Sequence, residues 1–252
     1  MTLPIASIFT DIPEAIIVFF HDTVGLGWGP AIVALTFTIR LVLLPLSFKQ
    51  IKSMRAMQAL QPQLKAIQAK FKDDKQRQQQ AMMEFYRENE INPLASCFPL
   101  LLQLPVFFAL YAMLRSDSFQ ADVAASPPEG WLFIPSLIEK PEGTGVIIAL
   151  AVLFITTQLA SGLAMSVRGQ GLEGPQRFIV FGLPFIFAPF ILTVPAGLAV
   201  YWISTNLWTL GQQQFVHMVL GPMKVPTQEE IEAAKPPPPP PRKKKKKSGR
   251  QR

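Results

Sequence analysis

The chain has 252 residues, of which 49% are hydrophobic and only 16% charged, with a formal net charge of +7. With a mean hydropathy of +0.27 it is too apolar for an ordinary soluble domain of this length, and a membrane protein is expected. One cysteine, Cys97, cannot form an internal disulfide, and His21 and His217 are too far apart in sequence to suggest a metal-ligand cluster. No glycine-rich phosphate loop, GxSxG elbow, HExxH helix or internal repeat is present. No enzymatic constellation, cofactor or metal is therefore expected.

In chain order, residues 1–27 come first, with "DIPEAIIVFFHDTVG" placing Ile16, Ile17, Phe19 and Phe20 beside Asp11, Glu14 and Asp22. This stretch is too short to span a bilayer and too acidic for a signal peptide, so it reads as an interfacial amphipathic helix. Five segments then approach the roughly 20 apolar residues of a spanning helix: 28–47, 94–114, 145–165, 177–193 and 196–215. Pro195 and Gly197 in "TVPAG" separate the last two into a hairpin. The expected fold class is an all-α polytopic membrane protein with five transmembrane helices, an amphipathic N-terminal helix and a cytoplasmic helical hairpin.

Lysine and arginine counts orient these spans, because cytoplasmic loops carry the excess. Residues 1–27 hold none, loop 48–93 holds nine, loop 115–144 two against five acids, loop 166–176 one, and the stretch after 215 ten. The N-terminus is thus expected outside and the C-terminus in the cytoplasm. The absence of an organellar transit peptide favours the bacterial cytoplasmic (inner) membrane.

Within loop 48–93, Met54, Met57, Leu60, Leu64, Ile67 and Phe71 recur at three- and four-residue spacing, predicting one amphipathic helix from Lys49 to Phe71. After "KDDK" a second helix carries Met82, Met83, Phe85 and Tyr86, which closes a helical hairpin. Its methionines either pack the hairpin against itself or meet varied hydrophobic partners. The tail 216–252 reads as disordered, with a proline run, Pro236 to Pro241, as a stiff spacer. It ends in a basic cluster of Arg242, Lys243, Lys244, Lys245, Lys246, Lys247, Arg250 and Arg252. That cluster suits ribosomal RNA, anionic lipid headgroups or a topology signal alone. Without aromatic stacking residues it gives no reason to expect specific DNA binding.

Arg40 is the anomaly of the first span, "ALTFTIRLVLLPL". A cation at the centre of a membrane helix costs about 2.5–3.5 kcal/mol on insertion scales, so it faces a protein interior or wet cavity unless it can snorkel. Arg40 lies about 10 Å from the cytoplasmic end of the span, at 1.5 Å per residue. Both readings stand on this segment alone.

Three stretches carry a family resemblance: "TFTIRLVLLPL", "DDKQRQQQAMMEFYRENEINPLASCFPLLLQLPVFFALYAML" and "LPFIFAPFILTVPAGLAVYWISTNLWTLGQQQ". On these residues the chain resembles the YidC/Oxa/Alb membrane-protein insertases, in their bacterial five-span form. The resemblance implies an insertase and chaperone for nascent membrane proteins, with a hydrophilic intramembrane groove open to the cytoplasm and to lipid. It places Arg40 in that groove, with Thr36 one helical turn away and Tyr201 and Trp202 at the family's "YW" position. Gln158, Ser204, Asn206 and Trp208 are further candidates for the lining, although Ser204 and Asn206 also suit helix–helix hydrogen bonds and Trp208 an interfacial belt. Gln103 reads as packing. The expected partners are nascent membrane proteins, the lipid bilayer, the ribosome and the Sec translocon. In the implied mechanism Arg40 draws in an acidic flank while the apolar segment leaves between the first and last spans. The rival class is a small-solute transporter, which would also hold an intramembrane arginine but commonly has two related halves.

Overall fold

Prolines and glycines set where the helices begin and end. The computed structural model describes residues 4–89, 98–167 and 175–221. Among these residues the chain forms α1 (Pro4–Val18), a π-helical turn (Phe19–Thr23), α2 (Trp28–Val42), α3 (Leu44–Ala59), α4 (Gln61–Lys70) and α5 (Lys75–Glu88). These are followed by α6 (Phe98–Leu114), α7 (Asp117–Ala125), α8 (Thr144–Val167), α9 (Pro175–Ile191) and α10 (Ala196–Leu220). No strand forms among the described residues beyond one isolated bridge between Trp131 and Ile134.

The first expected span is broken. Pro45 has no N–H to give Leu41, and it disfavours helical backbone at Leu44. The Leu43 N–H closes the last bond of α2 on the Ile39 carbonyl at 3.0 Å, and Ser47 N–H opens α3 on the Leu43 carbonyl at 2.9 Å. The two helices are bent by 58°. The single helix expected from Lys49 to Phe71 is also two helices, because Gln61–Pro62 restarts the chain after Leu60 with proline in the first turn, where its missing N–H is tolerated.

Of the five segments expected to span, Thr144–Ala164 is the one that is both long and apolar enough among the described residues, with a mean hydropathy of 2.2 and only 22% of its apolar window buried. A second qualifies if α2 and the start of α3 count as one broken span. Leu101–Leu114 and Val180–Ile191 are shorter apolar helices, and the 25 residues of α10 include Ser204, Thr205, Asn206 and three glutamines. Low burial on α8 fits a lipid-facing helix better than a soluble core helix.

Helices α4 and α5 pack together across the turn at residues 71–74. Asp74 caps α5, its Oδ1 accepting the Arg77 N–H at 3.0 Å. Leu64 is buried while Met83 is 61% exposed; the side chains of Met54 and Met57 lie outside the described residues. We expect Asp74→Ala to weaken α5 by about 1 kcal/mol, read as faster amide exchange at Arg77 and Gln78. Unchanged exchange there would remove the cap's role.

In the bundle, α10 packs against α8 and α2, α8 against α9, and α1 against α6 and α2. The contact between α2 and α10 occupies the side through which the sequence reading routed an apolar segment. The N-terminal helix is also more than an interfacial strip: Ile17 is fully buried, and Ile16 and Phe20 pack on the core. Beyond the kink, Arg55 donates to the Gly221 carbonyl at 3.2 Å and Phe48 meets Phe215 edge-on at 6.2 Å. Helix α3 thus touches the end of α10.

The segment 115–144 folds into the core. Phe119, Val123, Ile134 and Leu137 are buried, and Trp131 lies so close over Gly29 that a Cβ there would strike the indole. The carbonyls of Glu139 and Leu137 accept the N–H groups of Ala196 and Gly197, each at 2.7 Å. They satisfy two of the four N–H groups that open α10. The expected loop 166–176 and tail 216–252 fall mostly outside the described residues, as does Cys97.

Candidate functional site

Immediately above the Pro45 kink, α2 turns Thr36, Ile39, Arg40 and Leu43 into a recess whose other walls are Ser47 and Gln50 of α3, Leu102, Gln103 and Val106 of α6, and Tyr201 of α10. The cavity itself is small, about 20 Å³, and opens partly to the outside. Without the 58° bend, α3 would continue along the axis of α2 instead of contributing a wall.

A hydrogen-bonded chain crosses three helices here. Arg40 Nη2 donates to Gln103 Oε1 at 3.1 Å, and Gln103 Nε2 donates to the Tyr201 hydroxyl at 2.5 Å. Gln103 therefore presents its carbonyl to the cation and its amide to the phenol. Thr36 is fully buried, and its hydroxyl donates back to the Ile32 carbonyl at 2.8 Å. Among the described residues no carboxylate lines the recess, and none of them sets an anion beside the Arg40 charge. Guanidinium carries five N–H donors, and Gln103 occupies one. With no carboxylate, histidine or cysteine among the described residues of its wall, the recess offers a ligand hydrogen-bond donors, positive charge and apolar contact rather than an acid–base pair.

Gln103→Leu removes the link between Arg40 and Tyr201 and leaves both polar groups short of a partner in a largely enclosed place. The expected loss is about 1–3 kcal/mol, read from denaturant unfolding in detergent micelles. Wild-type stability would mean that the chain of bonds adds nothing to the fold.

Of the eight side chains that sequence reasoning grouped, Arg40, Thr36 and Tyr201 meet here. Trp202 points elsewhere, into a cluster with Phe107 at 5.7 Å, Phe154 at 5.7 Å and Phe187 at 6.0 Å. Ser204 donates to the Val200 carbonyl within its own helix at 2.7 Å. Asn206 joins α10 to α8: its Nδ2 donates to Thr157 Oγ1 at 3.2 Å, and its carbonyl accepts from the Ser161 hydroxyl at 3.3 Å. Trp208 donates to Gln212 Oε1 at 2.9 Å and its ring lies 5.2 Å from Phe37. Gln158, on α8, has a buried Oε1 without a partner, but it is not in the recess wall. The basic residues from Arg242 to Arg252 lie outside the described residues.

Gln103, which the sequence suggested was packing, is the bridge. The signal was available: it is the one amide in the otherwise apolar run "FPLLLQLPVFFALYAML". Ser47 and Gln50 were hidden by the kink, since a straight span would have carried them to the membrane surface.

Comparison with known proteins is consistent with this architecture. The family model described as "60Kd inner membrane protein" matches residues 19–222. The chain is 32% identical over 245 residues to the membrane protein insertase YidC of Streptomyces avermitilis, covering 86% of this chain and 57% of that protein. It is also 32% identical over 206 residues to the YidC of Pelobacter propionicus, covering 80% of this chain and 37% of the relative. Among solved structures it is similar to an active YidC insertase with its first transmembrane domain resolved, with a TM-score of 0.65 and 26% identity, covering 83% of this chain and 46% of that one. The chain thus spans about half the length of the relatives it matches.

Proposed function

The chain belongs to the 60Kd inner membrane protein family, that of the YidC insertases, and from that premise we propose that it inserts nascent membrane proteins into the lipid bilayer through the Arg40 recess. The observation that carries this reading is an arginine with no anion beside it among the described residues, braced by Gln103 in a recess among α2, α3, α6 and α10. Moving a polar flank through hydrocarbon exposes backbone groups that cost several kcal/mol each when unsatisfied. A recess of donors partway along the bundle shortens that path.

Arg40 attracts a carboxylate on the flank, the attraction strengthened by the low dielectric around it. The apolar segment partitions to lipid along α6 and α9, whose Leu104, Phe108, Phe185 and Ile186 are exposed. A membrane potential, worth about 2.3 kcal/mol per charge per 100 mV, draws a negative flank outward. Segment 115–144 faces the outside in this reading, and its folded core closes that end. The ribosome and the Sec translocon are proposed partners, the lysine cluster supplying a salt-sensitive grip on RNA phosphates.

The test is insertion of a short single-span client into liposomes containing only this purified protein, scored by protease protection. Protection above that of protein-free liposomes is expected. Its absence, together with solute flux through the same vesicles, would favour a transporter instead.

A further inference from the structure

Arg40 shares its recess with a second donor. Gln50 stands on α3, beyond the kink, and lines the same cavity. Its Nε2 is buried and has no hydrogen-bond partner among the described residues. The polar atoms around it are largely committed. Gln103 Oε1 accepts from Arg40, and the Tyr201 hydroxyl accepts from Gln103. The Ser47 and Thr36 hydroxyls donate to carbonyls of their own helical turns, at 3.0 and 2.8 Å. Among the described residues the recess therefore holds a buried donor without an acceptor, the Gln50 amide, beside the Arg40 guanidinium. A buried donor without an acceptor is unfavourable until something fills it. The ligand that suits this pair carries a carboxylate and a neutral carbonyl, which is a peptide with an acidic residue.

Resting on the insertion reading above, we propose that Gln50 is a client-binding residue whose Nε2 amide donates to a backbone carbonyl of the polar flank while Arg40 takes the flank's carboxylate. The two donors divide the work by chemistry. A guanidinium discriminates by charge, whereas a neutral amide binds the carbonyl that every peptide carries. Gln50 thus sets how well flanks without acids are received, and Arg40 sets the preference for those with them.

The test uses the full chain in phosphatidylethanolamine–phosphatidylglycerol vesicles and two single-span clients, one with an acidic flank and one with asparagines in place of the aspartates. Each client is also made with single flank amides replaced by esters, whose carbonyls are weaker acceptors. Gln50→Leu is expected to lower protease-protected insertion of both clients by about three- to tenfold, the worth of one neutral hydrogen bond. An ester at one flank position should lower insertion by the wild type and leave the leucine variant unaffected. Gln50→Glu, which keeps the size but replaces the donor with an anion, should lower the acidic client more than the neutral one.

Wild-type insertion by Gln50→Leu, or equal ester sensitivity in both proteins, would overturn the role of Gln50. Arg40→Ala run alongside separates the two claims. If it selectively impairs the acidic client while Gln50→Leu impairs neither, the insertion reading survives and the Gln50 proposal falls. If neither variant affects either client, the recess is not where clients bind and both fall.

Discussion

Arg40→Ala should lower insertion of a client with an acidic flank by tenfold or more, and that of a neutral-flank client by much less. The magnitude follows from the bond that is lost: a hydrogen bond to a charged group contributes about 1.5–3 kcal/mol, which at 1.4 kcal/mol per decade is at least about tenfold. Selectivity between clients is the diagnostic part. Alanine also removes the donor to Gln103, so a general loss from loosened packing would lower both clients equally. Arg40→Lys keeps the charge and should restore part of the acidic client's insertion. A lysine cannot reproduce the planar, several-donor fork of guanidinium, so restoration should be incomplete. Equal insertion of both clients by the alanine variant would end the electrostatic role.

Trp28→Ala should destabilise the fold by about 3–5 kcal/mol, the usual range for emptying a buried tryptophan site. Trp28 is 3% exposed and joins three parts of the chain. Its ring stacks on His21 with centroids 3.7 Å apart, meets Phe119 edge-on at 5.4 Å, and its Nε1 donates to the Ser126 carbonyl at 2.9 Å. His21 completes the latch. Its Nδ1 donates to the Leu26 carbonyl at 2.7 Å, and its Nε2 is 2.9 Å from the Ser126 hydroxyl. The alanine variant loses the stacking, the edge contact and the bond between α2 and the segment after α7. Trp28→Phe should retain most of the aromatic packing and lose about 1 kcal/mol with the hydrogen bond. Denaturant unfolding in detergent micelles measures both. A loss below about 1 kcal/mol for the alanine variant would mean that this end of the bundle is held elsewhere.

Several elements were legible because local chemistry decides them. The turn signal "KDDK" precedes the second helix of the hairpin, and Asp74 within it caps α5. The break at Pro195 and Gly197 falls where α9 gives way to α10. Other local signals were present but outweighed by hydropathy. Pro45 and Pro62 each stand in the first turn of a new helix, yet a 20-residue apolar window and a three- and four-residue repeat run through both. Periodicity reports which face is apolar and says little about whether the axis stays straight. The contribution of segment 115–144 to the core was not legible. Its apolar residues are spaced irregularly, and their burial depends on α1, α2 and α10 standing where they do.

By itself the sequence determined that this is a helical membrane protein, which family it belongs to, and that one arginine sits where a cation needs an aqueous or polar neighbour. Those conclusions rest on apolar run length, on motif identity and on the desolvation of charge, all properties of contiguous residues. Which polar side chains share the recess was decided only by tertiary structure. Tyr201 and Trp202 are adjacent, yet successive side chains on a helix point about 100° apart, so one closes the chain from Arg40 and the other enters an aromatic cluster. Arg40 and Gln103 are 63 positions apart, and Gln50 reaches the same cavity only because α3 turns by 58° at Pro45. A site assembled from four helices depends on their rotations and crossings, which packing sets and no local pattern encodes.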